Sequence, residues 1–219
     1  MNVLKICCFE TMFDVTEPHN YMLNIEQQKI FRELIEAFQN KDEEKISYLQ
    51  NYQKAGKFDK NILFLPSVFE IEFDKKLTRS FYEIIQNRYL NNEKREILNS
   101  INSQIVELLE LVSVDLSVTI DYEDIIGFKD ILELVKLSIV DEAETYLERI
   151  VTYLKLLKEF NDYKVLVIPF LDAYLDYEEL KTLTNELALM EVSLFILNNS
   201  DHSKEGFEKY TIDTDLCEF

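Results

Sequence analysis

The chain has 219 residues, long enough for one large domain or a compact domain with an extension, and 47% of them are apolar, so a core can be built. Its 23 basic and 42 acidic residues give a formal net charge of −19, which argues against a protein that meets DNA with a general coat of lysines and leaves only a local basic patch for that purpose. Three glycines and three prolines favour long uninterrupted elements and speak against loop-rich β architecture.

The apolar, β-leaning start MNVLKICCF predicts a first strand. A polar turn follows around Glu17, Pro18, His19 and Asn20. Residues 25–38 predict a helix, because Ile30, Phe31, Leu34, Ile35 and Phe38 fall on one face. Residues 41–60 are polar and suggest a hairpin or a long loop, and NILFLPSVF reads as a short strand stopped by Pro66. From 74 to 112 there is neither Gly nor Pro. One helix is expected over 75–90. After Asn91 and Asn92 a second carries Ile97, Ile101, Ile105, Leu108 and Val112 at helical spacing. The stretch VSVDLSVTI is β-like, and the acidic turn DYEDIIGFKD leads to a third helix over 130–137. A fourth is expected over 142–160, where Ala143, Leu147, Ile150, Leu154 and Leu157 form the seam of a packed helix pair.

The C-terminal part is α/β in pattern. KVLVIPF and VSLFILN are apolar runs of the kind buried on both faces of a parallel sheet. The helix between them, over 177–190, has Asp176 as its expected N-cap and Glu179 three residues on. Strand, helix and strand with short connections make a βαβ unit. The tail predicts an edge strand near 210–212. The economical packing is one α/β head made from both ends of the chain, with helices inserted in its middle.

Cys7, Cys8 and Cys217 are the only cysteines, and this sparse, odd count predicts buried thiols in a reducing cytoplasm. No signal peptide and no membrane-spanning run is expected. The glycines Gly56, Gly127 and Gly206 are isolated, so no phosphate-cradling loop can be written. Asp172, at the end of a predicted parallel strand, stands where α/β sheets bind ligands, but it also suits a turn before the Asp176 cap. Asp201, His202 and Ser203 are consecutive and cannot converge on one reacting atom, so they read as a polar loop. No convergent nucleophile and base is visible, and no enzyme is expected.

Two clusters remain. Asp115, Asp121, Glu123 and Asp124 lie within ten residues, and clustered carboxylates beside carbonyls are what calcium requires. Clusters of this kind also arise as solvated surface in so acidic a chain. Against the overall charge, residues 75–95 carry Lys75, Lys76, Arg79, Arg88, Lys94 and Arg95 with only Glu83 and Glu93 opposing them. Such a stretch is a candidate phosphate contact, or a solvated helix surface.

The 130–199 segment, DILELVKLSIVDEAETYLERIVTYLKLLKEFNDYKVLVIPFLDAYLDYEELKTLTNELALMEVSLFILNN, and the closing YTIDTDLCEF resemble the Csn-two family of type II-A CRISPR systems. A weaker likeness covers the helices before it, and residues 1–60 agree mainly in pattern. The resemblance implies a head with a mainly parallel sheet, like a degenerate ATPase without its phosphate loop, and an inserted α-helical leg. On that reading 1–70 is the first part of the head, 71–160 the leg and hinge, and 161–219 the second part. It further implies a ring-shaped homotetramer that binds double-stranded DNA ends, a place among other CRISPR adaptation proteins (the integrase and the effector nuclease), and calcium held near the hinge. The matching stretch IDYEDIIGFKD carries Asp121, Glu123 and Asp124 over as calcium ligands, with Asp115 beside them. The alternative is an acidic α/β interaction or regulatory module that never touches DNA.

Overall fold

The computed structural model describes residues 1–55, 57–71, 73, 75–116, 121 and 125–219, with the side chains of Glu70, Lys75 and Lys76 outside the described set. The chain divides into two compact units, Met1–Glu72 with Glu142–Phe219 and Phe73–Asp141. The first unit is therefore discontinuous in sequence, and the second is inserted into it.

At the centre of the first unit is a parallel sheet of β3 (Asn20–Ile25), β6 (Ile62–Phe64), β7 (Val165–Pro169), β8 (Ser193–Asn198) and β9 (Glu208–Ile212), in the order β6-β7-β8-β3-β9. Both faces are covered, as a parallel sheet requires, and this explains the continuous apolar runs of β7 and β8. Alternate residues serve alternate faces. Tyr21, Leu23, Val165, Val167, Phe195 and Leu197 face one core, and Met22, Leu166, Ile168, Leu194 and Ile196 face the other.

The first core is closed by α1 (Gln28–Gln39) and by an antiparallel sheet of β1 (Asn2–Ile6), β2 (Met12–Asp14), β4 (Ile46–Gln50) and β5 (Gln53–Lys54), in the order β2-β1-β4-β5. The 41–60 region is a hairpin, β4 to β5. Asn51 and Tyr52 both have positive φ (50° and 63°), the conformation of a two-residue turn whose twist matches its strands. Between α1 and β6 the chain also makes a single helical turn, α2 (Phe58–Asn61). The second core is closed by α6 (Tyr146–Phe160) and α7 (Tyr177–Leu189). Both begin with reciprocal capping. Asp176 Oδ1 accepts from the Glu179 N–H at 2.9 Å while Glu179 Oε2 accepts from the Asp176 N–H at 2.9 Å. Thr145 and Glu148 do the same for α6.

The second unit holds α3 (Lys75–Ile84), which runs on into a π-helical turn over Ile85–Tyr89, then α4 (Asn92–Asp115) and α5 (Phe128–Leu134). Its parts are tied by polar contacts. The Tyr82 hydroxyl donates to the Leu137 carbonyl at 2.6 Å, and the Asn102 side chain both donates to the Ile126 carbonyl and accepts from the Ile126 N–H.

Several expectations need correction. Residues 20–25 are the strand β3, and the helix starts only at Gln28. The β-like VSVDLSVTI is helical through Asp115 because α4 continues to that point, and residues 117–120 lie outside the described residues. The helix expected over 142–160 begins at Tyr146 and belongs to the first unit, where Ile150 and Leu154 are buried against the parallel sheet. The thiols are not all buried: Cys7 and Cys217 are exposed, and only Cys8 is half-buried. Burial, followed by the neighbouring Cys7, pushes the Cys8 thiol up to about 12, so it stays protonated and unreactive. The tail folds back beyond β9. Glu218 accepts from the backbone N–H groups of Glu10 and Thr11, tying the tail to the β1–β2 turn.

Candidate functional site

The basic stretch lies on the second unit. Arg79 is exposed on α3 and lines a cavity of about 380 Å³ with Phe73, Thr78, Tyr82, Lys136 and Ser138, and with Glu133 as the one acid among the described residues. Neither Arg79 nor Lys136 has an ion-pair partner among the described residues. Two cations and two small hydroxyls around one groove are suited to an anion. Lys136 was not legible as part of this group, because it lies in the turn after α5 and reaches the groove only through packing. Its positive φ (53°) marks the turn that brings it there.

The other cations are placed differently. Lys94 Nζ donates to the Tyr89 carbonyl at 2.8 Å, and Arg95 Nε donates to the Leu90 carbonyl at 3.2 Å. Both therefore satisfy carbonyls left open where the preceding helix ends, and each keeps further N–H groups for another acceptor. Arg88 is exposed in the π-helical turn. Lys75 and Lys76 open α3, with side chains outside the described set. The π-helical turn interrupts the 100° advance of the helix, so α3 and the Arg88 turn do not form one continuous stripe.

Of the acidic cluster, Asp115 ends α4 and is exposed, and Asp121 is exposed. Glu123 and Asp124 lie outside the described residues. Among the described residues, no three His, Cys, Asp or Glu side chains are grouped to hold a metal. The carboxylates themselves are hard oxygen donors, the type that calcium takes.

Another group of polar side chains lies at the carboxyl edge of the parallel sheet. Phe170, in the left-handed region (φ 56°), turns the chain sharply after β7 and leads into a short 3₁₀ turn, Leu171–Ala173. Asp172 is thereby buried and accepts a hydrogen bond from His202 Nδ1 at 2.7 Å. Asn24, Asn198 and Thr211 are fully buried beside it at the ends of β3, β8 and β9. Asn24 Nδ2 donates to the His202 carbonyl at 2.8 Å, and Asp201 accepts from Thr211 and Asn24. Lys209, 2.6 Å from Asp201, holds that carboxyl below the usual carboxylate range. Asp172 is thus more than a turn residue, and His202 has its partner 30 positions away rather than beside it.

α4 exposes Ile97, Ile101, Leu108 and Val112, four of the five apolar residues that stand at helical spacing in the sequence. Among the described residues no helix is long and apolar enough to cross a membrane. A search of curated proteins finds no match to the chain. The family described as CRISPR-associated protein (Cas_Csn2) matches residues 38–216, most of the chain and both parts of the discontinuous first unit. The chain belongs to the Csn2 family of CRISPR-associated proteins, the Csn-two family its sequence resembles.

Proposed function

We propose that the protein binds the ends of double-stranded DNA as a ring-shaped homotetramer, catalyses no reaction on them, and serves the capture of new CRISPR spacers alongside the integrase and the effector nuclease. The observation that carries this reading is the local basic stretch of 75–95 on a chain whose net charge is −19, in a member of a CRISPR-associated family. A chain of that charge should be repelled by DNA. A ring removes the conflict by turning cations such as Arg79 toward an inner wall and acids outward, so that the duplex meets a local positive field. The uncovered apolar stripe of α4 supports self-association, because contiguous exposed apolar surface on a soluble protein usually marks a contact. The isolated glycines support a role without nucleotide hydrolysis.

A closed ring must be threaded, so free ends should matter. Linear duplexes should shift in a gel, whereas covalently closed circles of the same sequence should not. Equal binding of both would exclude threading, and a monomer at binding concentrations would exclude the ring.

Calcium is the metal this reading assigns to Asp115, Asp121, Glu123 and Asp124. Bringing those carboxylates together costs like-charge repulsion that a divalent cation removes. Calcium at 100 times its dissociation constant should stabilise the protein by about 2.7 kcal/mol. Thermal melts with calcium and with a chelator measure this, and identical midpoints would remove the site from the proposal.

A further inference from the structure

The carboxyl edge of the parallel sheet leaves four buried polar atoms without a hydrogen-bond partner: Asn24 Oδ1, Asp172 Oδ1, and both Oδ1 and Nδ2 of Asn198. Asn24 and Asn198 have no exposed surface, and Asp172 is 8% exposed. About nine in ten or more of the buried polar groups in native proteins are paired, and an unpaired one is destabilising because it has lost water without gaining a partner. Four such atoms on three neighbouring residues are therefore not a tolerable accident of packing. A small polar partner from outside the chain would complete them.

The sheet order shows where these atoms stand. β8 lies between β7 and β3, so Asn198 is flanked by the turn bearing Asp172 on one side and by Asn24 on the other. Asn24 and Asn198 are register partners in β3 and β8, with their side chains on the same face. Asn24 Nδ2 is directed toward Thr211, Asp201 and the His202 carbonyl, on the β9 side. Its Oδ1 is therefore turned the other way, toward Asn198. His202 bridges the two flanks of Asn198, since its carbonyl accepts from Asn24 and its ring donates to Asp172. The unmet atoms are thus gathered around the buried Asn198 amide, beneath the connection between β8 and β9 that carries His202.

The unmet groups define the guest. Three acceptors, Asn24 Oδ1, Asn198 Oδ1 and Asp172 Oδ1, call for a donor, and they would repel phosphate or any other anion. A bare cation would satisfy the oxygens but leave the Asn198 NH₂ unmet. Water both donates and accepts, and it is small enough for a place without surface exposure. We propose that the carboxyl edge of the sheet is a sealed internal hydration site, in which ordered water links Asn24, Asn198 and Asp172 beneath His202. Open α/β sheets seat their ligands at this edge. Here water and the chain's own cover fill the place, and the acceptor-rich lining turns phosphate ligands away.

The test is a crystal structure of the full chain at a resolution that shows ordered water, grown in sodium chloride and again in rubidium chloride. Expected are density peaks about 2.7–3.2 Å from Asn24 Oδ1, the Asn198 amide and Asp172 Oδ1, unchanged and without anomalous signal in rubidium. A rubidium peak at that position would make it a cation site. Direct bonds between the Asn24, Asn198 and Asp172 side chains, with no density among them, would mean that no site exists. Either result overturns the proposal. In solution, Asn198→Asp adds a second carboxylate beside Asp172 at this edge. Its melting temperature should fall by the same amount in sodium, potassium and rubidium chloride. Recovery in one of the three salts would also count against water.

Discussion

Phe195→Ala should lower the stability of the first unit by about 3–5 kcal/mol. Phe195 is fully buried in β8, which has β7 and β3 as neighbours on its two sides. Its ring meets Phe13 edge-on at 5.5 Å and lies against Tyr21 at 4.7 Å. Phe13 belongs to β2 of the antiparallel sheet, so this contact joins the two sheets across the first core. Removing the ring forfeits its burial, leaves a cavity, and removes aromatic pairs worth about 0.5–1.5 kcal/mol each beyond their area. A typical domain has about 5–15 kcal/mol in all. For a chain of this size the loss corresponds to a fall in melting temperature of roughly 6–20 °C. Phe195→Leu, which keeps most of the volume, should lose far less. Urea denaturation of the three proteins measures the difference, and a loss below about 1 kcal/mol for the alanine variant would mean that the sheets are held together elsewhere.

Duplex binding should weaken about a thousandfold between 50 and 200 mM salt, if the assembly contacts about six phosphates. The argument is counterion release: each neutralised phosphate contributes a slope of about −0.9 to the logarithmic salt dependence. A ring of identical chains repeats each cation, so even Arg79 and Lys136 alone supply enough positive charge to reach that number. Arg79→Glu should lower affinity for all sequences alike and make the slope shallower, because phosphate contacts carry no sequence information. Titrations of one linear duplex at several salt concentrations give both quantities. An affinity independent of salt would show that binding does not rest on the phosphate backbone.

The parts of the fold legible in the sequence are those in which one physical demand dominates. β7 and β8 are buried on both faces and so are unbroken apolar runs. α7 announces itself through Asp176 and Glu179 because its first turn needs acceptors. β3 was hidden for the opposite reason. Asn20 and Asn24 interrupt its apolar residues, and Asn24 is polar where its side chain donates to Asp201 and the His202 carbonyl. Of the antiparallel sheet, the first strand and the 41–60 hairpin are legible, whereas β2 and the joining of these strands into one sheet are not, because β2 is short and the pairing of β1 with β4 is non-local. At the candidate site, the cations of 75–95 could be read from local charge, whereas Lys136 beside Arg79 and His202 on Asp172 are meetings made by the fold. Local sequence spacing does not record them.

The discontinuity of the first unit has a consequence for synthesis on the ribosome. β3 is made early, yet both of its neighbours, β8 and β9, come from residues 193–212. Until that stretch has emerged, this interior strand presents two unpaired edges. The inserted helices, whose contacts are local, can form in the meantime. The nascent chain therefore passes through a period in which its helices are complete while its sheet is only a template. During that period the open edges of β3 are the place where a chaperone, or a second unfinished chain, would attach.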